Sequence, residues 1–162
     1  MKIISSFFIL FLALYFTGCA DKTSALNHFE NDKLSAKAIQ YTKKRDLLNN
    51  NEVEALIFVT YLNNVDEKYE SDNIETFILG VQIANKDNEN FFKDSYKLVL
   101  NEKESVSLKG LDANSTLVNS IPLKNPWARY YLVKFNNKEE LRELNLEFIH
   151  TKYGTASLSF QK

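Results

Sequence analysis

The sequence of 162 residues has one cysteine, two histidines, two prolines and four glycines. A single cysteine cannot form an intramolecular disulfide, so the fold must be stabilised by buried apolar area. Zinc needs several nitrogen or sulfur ligands, and so few histidines and cysteines disfavour such a site. The sequence also lacks a Gly-rich phosphate loop and a Gly-x-Ser-x-Gly elbow. We therefore predict no metal site, no catalytic residues and a protein that is not an enzyme.

Neither sign of charge dominates the chain. The formal net charge is −1, with 25% charged and 44% hydrophobic residues. No basic block could follow a phosphate backbone, so we expect no nucleic-acid partner. The hydrophobic fraction is typical of a globular protein, and the length suits one domain.

The N-terminus has the layout of a secretory signal. Met1-Lys2 gives a positive start, and a mostly apolar run follows from Ile3 to Phe16. This run is shorter than the ~20 residues that a helix needs to cross a bilayer. Small residues then precede Cys19. We predict that residues 1–18 are a signal peptide. An uncleaved signal anchor and an ordinary cleaved signal are the alternatives.

The stretch Phe16-Thr17-Gly18-Cys19 resembles the bacterial lipobox, with Phe16 in place of the usual Leu. The resemblance implies that Cys19 carries diacylglycerol and acyl chains, which would be the only non-protein groups, and that these hold the protein on a lipid bilayer. Each buried methylene contributes about 0.8 kcal/mol, so two or three chains anchor durably. Ala20, rather than Asp, follows the cysteine, which by analogy with enteric bacteria favours the outer over the inner membrane. Residues 19–35 are predicted to be a partly helical tether.

Alternating apolar residues dominate the rest of the chain, which is typical of β-strands with one buried face. Polar turns separate the strands, among them 101–104, 110–114 and 152–154. Many short strands with turns between them predict two packed antiparallel sheets. We predict an all-β, immunoglobulin-like sandwich over residues 36–162, with strands at 39–42, 52–62, 74–84, 96–100, 106–108, 117–118, 131–135, 144–148 and 156–160.

The lipobox, the strand rhythm and the composition together resemble small surface lipoproteins of Campylobacter-like bacteria that have a variant immunoglobulin fold. The resemblance implies the architecture alone. The paired cysteines of antibody domains are absent, and Trp127 lies late in the chain, after Pro126.

Asn114 is a candidate for glycosylation. The residues Asp112-Ala113-Asn114-Ser115-Thr116 contain an Asn-x-Ser/Thr acceptor within a predicted turn. They also resemble the extended bacterial acceptor, which has an acidic residue two places before the asparagine. Coincidence in an asparagine-rich chain is the alternative.

Acidic residues crowd the segment that follows Leu62. Carboxylate oxygens are ligands that calcium accepts, but their spacing here matches no EF-hand loop. We favour a solvated acidic hairpin over a calcium site for Asp66, Glu67, Glu70, Asp72 and Glu75.

An aromatic segment with two prolines is the main candidate for partner binding, because its composition is typical of interface hot spots. Strand alternation places Tyr131 inward with Val133, so part of the segment belongs to the core. We predict that Trp127 and Tyr130 are exposed. We favour a core role for the segment as a whole over a binding surface.

The leading functional hypothesis is a lipid-anchored, non-catalytic binding or adhesion module of the bacterial envelope, with an unidentified protein or glycan partner. The alternative is a periplasm-facing lipoprotein that assists the assembly of an envelope complex, for example by adding a strand to a partner. An envelope hydrolase has the least support. The side of the membrane is left open by the sequence.

Overall fold

The computed structural model of the chain describes residues 33–84, 96–137 and 141–162, which all belong to one compact unit beginning at Lys33. The signal peptide, the lipobox and Cys19 lie outside the described residues. No helix within the described ranges is long and apolar enough to cross a bilayer. The elements in chain order are α1 Lys33–Gln40, β1 Thr42–Asn49, β2 Glu52–Tyr61, β3 Ile74–Ile83, β4 Tyr96–Leu100, β5 Lys103–Glu104, β6 Ser107–Leu111, α2 Thr116–Asn119, β7 Arg129–Asn136, β8 Glu143–His150 and β9 Gly154–Gln161.

The strands form two antiparallel sheets. The larger sheet has the order β1-β2-β3-β7-β6, and the smaller sheet has the order β5-β4-β8-β9. Chain neighbours such as β1 and β2 or β8 and β9 form hairpins, whereas β7 pairs with β3 and β4 pairs with β8. The prediction of an all-β sandwich is confirmed.

Two-residue alternation explains how the core forms. In β9, Ala156, Leu158 and Phe160 are buried, while the residues between them are exposed or half-buried. Each sheet therefore presents one apolar face, and burial of both faces against each other stabilises the pair of sheets. The main core cluster combines residues of both sheets: Leu47, Ala55, Ile57, Val59, Tyr61, Phe77, Leu79, Val81, Tyr96, Leu98, Leu100, Tyr131, Val133, Phe135, Leu144, Leu146, Phe148, Ala156, Leu158 and Phe160.

Asparagine makes the tight turns of two hairpins possible. Asn50 and Asn51, between β1 and β2, have φ of 49° and 68°, and Asn101 and Glu102, between β4 and β5, have 46° and 67°. Two successive residues with positive φ give the turn whose twist matches that of the strands. Gly154 has φ of 89° at the start of β9. The predicted turns at 101–104 and 152–154 are confirmed at Asn101-Glu102 and Lys152-Tyr153, whereas Lys103–Glu104 form β5 and the first two residues of the turn predicted at 110–114 end β6.

The outer face of the larger sheet is covered by the connection between β6 and β7. A second core cluster lies there, formed by Leu62, Ile78, Val118, Ile121, Ala128 and Tyr130. The helix α2 lies within this connection, and its N-cap Ser115 accepts a hydrogen bond from the Val118 amide. The prediction of a strand at Leu117-Val118 is wrong, because the serine cap begins a helical turn and Val118 packs on the sheet from outside.

The predicted first strand at 39–42 is also wrong. Ile39 and Gln40 end α1, and β1 begins at Thr42. The Thr42 hydroxyl donates to the Ala38 carbonyl at 2.7 Å, and Ala38 is buried. One of the last carbonyls of the helix thus accepts a hydrogen bond from a side chain, and the extended chain begins directly afterwards.

The sandwich has two distinct ends. We call the end at which β3 begins and β9 finishes the Glu75 end, because Glu75 pairs there with Lys162. The opposite end, at which β3 finishes and β7 begins, is the Trp127 end. Glu75 and Gln82 are seven residues apart along β3, so the two ends are separated by roughly 23 Å.

Candidate functional site

Trp127 is the most exposed large apolar side chain of the described residues, with 77% of its surface accessible. The others, such as Val106 at 54% and Leu123 at 41%, are much less exposed. A fully buried aromatic side chain contributes substantially to stability, and here that contribution is not used for folding. The predicted exposure of Trp127 is what the structure shows.

The backbone beneath Trp127 is held by a compact set of hydrogen bonds centred on Asn125. The Asn125 amide N–H donates to the Tyr130 hydroxyl at 2.6 Å, and that hydroxyl donates to the Asn125 carbonyl at 3.0 Å. The Asn125 side chain donates to Gln82 at 2.6 Å and accepts from the Trp127 amide at 2.9 Å. The loop is therefore fixed to β3 and β7 while the indole projects from it.

Tyr130 is buried at 2% exposure, so its predicted exposure is wrong. Alternation places Tyr130 on the outer face of β7, but the β6–β7 connection covers that face. Gly80 provides the space for the ring, because a Cβ there would lie 2.7 Å from Tyr130 Cε1. Burial raises the pKa of Tyr130, with a partial opposing effect from its hydrogen bond with the Asn125 backbone. Tyr130 supports the site from below and does not form its surface.

Further aromatic rings lie where β4 begins and β8 finishes, which is also the Trp127 end. His150 stacks on Tyr153 with ring centroids 4.3 Å apart and lies 4.4 Å from the Tyr96 ring. His150 Nδ1 accepts hydrogen bonds from the amides of Lys152 and Tyr153, which orders the β8–β9 turn. The ring partners of His150 lie on β4 and in the turn, so no local sequence pattern predicts these contacts.

Asn114 lies exposed in the β6–β7 connection. The Asn114 amide donates to Asp112 Oδ1 at 2.7 Å, and the Asn114 carbonyl accepts from Asn119 Nδ2 at 3.0 Å. Its backbone is thus engaged in a turn, while the exposed position leaves room for a glycan. Glycosylation stays a prediction.

The carboxylates of the acidic segment do not lie together in one site. Asp66 caps the short 3-10 turn Glu67–Tyr69 and contacts Lys68 Nζ at 2.8 Å. Burial raises the pKa of Asp66, but the hydrogen bonds from Lys68 outweigh it and leave this pKa below its usual value. Glu75 points into the core and away from this turn. Within the parts of the chain that the structure describes, no three His, Cys, Asp or Glu side chains are grouped as metal ligands.

Glu75 is the centre of a polar cluster that sequence reasoning missed. Its side chain is fully buried, and its Oε2 accepts from the Tyr61 hydroxyl at 2.5 Å. Its Oε1 accepts from Asn137 Nδ2 at 3.0 Å and contacts Lys162 Nζ at 2.5 Å. Burial, the hydrogen bond to Glu75 and its nearby charge together raise the pKa of Tyr61 far above its usual value. The available signal was strand parity, because Glu75 shares the inward face with Phe77.

No protein-family model matches the chain, and neither a curated protein nor a solved structure shows significant similarity to it.

Proposed function

We propose that this protein is a lipid-anchored, non-catalytic binding or adhesion module of the bacterial envelope, and that its Trp127 end contacts the partner. Support for the anchor comes from the sequence: an apolar run follows Lys2, and Phe16-Thr17-Gly18-Cys19 resembles a lipobox. Two or three acyl chains on Cys19 hold a domain on a bilayer. The outer membrane is favoured, since Ala20 follows the cysteine.

The exposure of Trp127 on a hydrogen-bonded loop is the observation that carries the binding proposal. Interface hot spots are enriched in tryptophan, and a loop that is already ordered loses little conformational entropy on binding. The five hydrogen bonds that fix Asn125 and its neighbours, including the one from the Ala128 amide, provide this order. A rigid loop with an exposed indole fits a recognition surface better than a spacer.

Strand order supports an immunoglobulin-like interpretation of the sandwich. When β2 to β9 are read as strands A, B, C, C′, D, E, F and G, the larger sheet has the order A-B-E-D and the smaller has C′-C-F-G. This is the order of immunoglobulin-type sandwiches, with β1 as an added strand beside A. In such domains the B–C and F–G loops share one end and form binding sites. The corresponding connections, β3–β4 and β8–β9, begin at the Trp127 end.

Topology and lipidation are tested together in the native host. We expect radiolabelled palmitate on the wild-type protein, loss of label in Cys19→Ala, and removal of the mature domain when intact cells are treated with protease. Absence of label from the wild-type protein contradicts the anchor. Survival of the domain until the outer membrane is opened contradicts surface display.

Binding is tested with full-length protein in detergent micelles on immobilised glycans and extracellular-matrix proteins. Truncation of a hot-spot tryptophan costs about 2 kcal/mol or more of binding free energy. Trp127→Ala should therefore raise the dissociation constant of an observed interaction by about 30-fold or more. Val106→Ala is the matched control, because Val106 is the next most exposed apolar residue and follows β5 instead of the Trp127 loop. Equal weakening by both variants contradicts a specific role for the Trp127 end.

One observation favours the alternative, a periplasm-facing lipoprotein that assists an envelope complex. The edge strand β9 has no charged residue from Gly154 to Gln161, whereas the edge strand β1 contains Lys43, Lys44, Arg45 and Asp46. Charged residues on an edge discourage strand addition, and β9 has none of its own. Lys43 donates to the Ser159 carbonyl and Asn64 to the Gln161 carbonyl, so an added strand would have to displace these two contacts. Protection of the domain from protease on intact cells would support this alternative.

A further inference from the structure

Lys162 and Asn137 place an amine and a carboxamide against one carboxyl group, that of Glu75. Lys162 Nζ and Asn137 Nδ2 both contact the same atom, Glu75 Oε1, at 2.5 Å and 3.0 Å. Two nitrogen atoms that share one acceptor atom lie close to each other. We propose that Lys162 and Asn137 form an intramolecular isopeptide bond, and that Glu75 transfers the proton that this reaction requires.

The reaction needs no other reactant. Neutral Lys162 Nζ attacks Asn137 Cγ, an Nζ–Cγ bond forms, and the Cγ–Nδ2 bond breaks. The neutral amine forms when the lysine ammonium gives one proton to the Glu75 carboxylate. Glu75 delivers that proton to Nδ2 and then accepts the second proton, which Nζ loses as the amide forms. The leaving group departs as ammonia, so the product is a secondary amide and Glu75 is regenerated. Nothing is oxidised or reduced.

Glu75 has the position of a general acid and base. A proton-transfer group must be within hydrogen-bond reach of the atoms between which it moves the proton, and Oε1 contacts both nitrogen atoms. The Tyr61 hydroxyl donates to the other oxygen, Oε2, at 2.5 Å, which leaves Oε1 directed at the reacting groups. Tyr61 is therefore a positioning residue for this step.

The carboxyl and carboxamide groups are removed from water. Glu75 is fully buried and Asn137 is 3% exposed, while the Lys162 side chain is 29% exposed. Four aromatic residues pack together beside them, with the Phe77 ring 5.0 Å from Tyr61, 5.9 Å from Phe135 and 5.5 Å from Phe160. These rings keep water from the carboxyl group that transfers the proton.

The backbone holds both reacting residues in place. Asn137 directly follows β7, and its amide donates to the Asn73 carbonyl at 2.9 Å. Lys162 directly follows β9, and its amide donates to the Arg142 carbonyl at 3.1 Å. Fixed reactants behave as if present at very high concentration, with effective molarities of about 10⁵–10⁸ M in well-oriented cases.

The bond would join the two sheets covalently at the Glu75 end. Asn137 continues a strand of the larger sheet, and Lys162 continues a strand of the smaller sheet. The chain has one cysteine, so a disulfide cannot supply such a link. The isopeptide bond would have the same effect as a disulfide, because it limits the conformations of the unfolded chain.

Intact mass spectrometry of the full-length protein tests the proposal. We expect a mass lower by one ammonia than the processed and lipidated sequence requires, and a branched tryptic peptide that joins residues 135–138 to residues 153–162. Fragmentation should place the link on Asn137 and Lys162. An unmodified mass, or an ammonia loss without the branched peptide, would overturn the proposal, since the latter indicates succinimide formation.

Matched variants separate chemistry from folding. Glu75→Gln and Lys162→Arg should show the full mass and no branch, while Asn136→Ala, a change at the exposed neighbouring residue, should retain both the mass loss and the branch. Lys162→Arg keeps a positive charge against Glu75, so circular dichroism should show that it folds. A branch that persists in Glu75→Gln would overturn the role of Glu75. None of these outcomes depends on the partner or the membrane location proposed above.

Discussion

The two ends of the sandwich use their unusual residues in opposite ways. At the Glu75 end a charged side chain is fully buried among aromatic rings, whereas at the Trp127 end a large aromatic side chain is 77% exposed. Each arrangement is unfavourable by itself, because buried charge is costly and an exposed indole forgoes burial. The difference is consistent with cohesion between the sheets at one end and with the partner contact that we propose at the other.

The structural contacts agree with this division. The Glu75 cluster joins residues of β2 and β3 to residues that follow β7 and β9, so it spans both sheets. The hydrogen bonds around Asn125 stay within one loop and its support on β3 and β7. Changes at the Glu75 end should therefore affect stability most, and changes of Trp127 should affect it least.

The largest effect is expected for Glu75→Ala. Removal of the carboxylate leaves the Tyr61 hydroxyl, the Asn137 amide and the Lys162 ammonium without their acceptor. Each buried polar group left without a partner costs about 1–3 kcal/mol in the free energy of unfolding, whereas Lys162, with 29% of its side chain exposed, can turn to water. Urea denaturation measures the change in the free energy of unfolding. Glu70→Ala, at an exposed residue, is the control, and we expect it to change this free energy by no more than about 0.5 kcal/mol. A similar small change for Glu75→Ala would contradict the cohesive role of this end.

A smaller loss is expected for Gly80→Ala, which tests the support beneath Trp127. The new Cβ would lie 2.7 Å from Tyr130 Cε1, and the buried ring would have to move. Overpacking of this kind costs about 1–3 kcal/mol. Gly110→Ala is the matched control, because no atom lies within 4 Å of its new Cβ. Thermal unfolding of both variants makes the comparison, and equal stability would show that Tyr130 is not tightly held.

Alkaline pH should weaken the Glu75 end in particular. The pKa of Tyr61 is raised in the folded protein above its ordinary value of 10.0, mainly by burial and also by Glu75. The folded state thus favours the neutral phenol, and this stability is fully present below pH 10 and is lost as the pH rises above it. The slope contributed by one such group is at most about 1.4 kcal/mol per pH unit.

Urea denaturation between pH 9 and pH 11 measures this dependence. Above pH 10 the free energy of unfolding should fall more steeply in the wild-type protein than in Tyr61→Phe, which lacks the ionisable hydroxyl. An equal dependence of the free energy of unfolding on pH in the two proteins would contradict this prediction.

The smallest effect on stability is expected for Trp127→Ala, within about 0.5 kcal/mol, since the indole contributes little to the core. Trp127 is the only tryptophan, so its fluorescence reports on this end alone. The emission of the folded protein should be that of a hydrated indole, and iodide should quench it almost as strongly as in the urea-unfolded chain. Strong protection from iodide would indicate a buried ring.

The sheets were predictable because their signal is local. Alternation in β3, β4, β8 and β9 is clear, and asparagine and glycine mark several of their turns. Alternation wrongly predicted that Tyr130 is exposed, because the β6–β7 connection covers the outer face of β7 and no local pattern predicts this coverage. The strand predicted at Leu117-Val118 failed for a related reason: Ser115 is a helix cap, and the buried valine belongs to a helical turn.

The Glu75 cluster could not be predicted from local patterns. Its four members are Tyr61, Glu75, Asn137 and Lys162, and they are adjacent only because the sheets pair and pack as they do. In the sequence, Glu75 follows other acidic residues and was grouped with them. Its inward parity with Phe77 was the one available sign that it belongs to the core.

The central claim is that an anchored module presents its Trp127 end to the outside of the cell. Labelling of a Trp127→Cys variant on intact cells with a membrane-impermeant maleimide tests it most directly. The proposed lipidation would occupy Cys19, so the wild-type protein should stay unlabelled, and an Ala55→Cys variant should react only after denaturation, because Ala55 is fully buried. The account predicts that Trp127→Cys is labelled on intact cells, and labelling only after the outer membrane has been opened would contradict it.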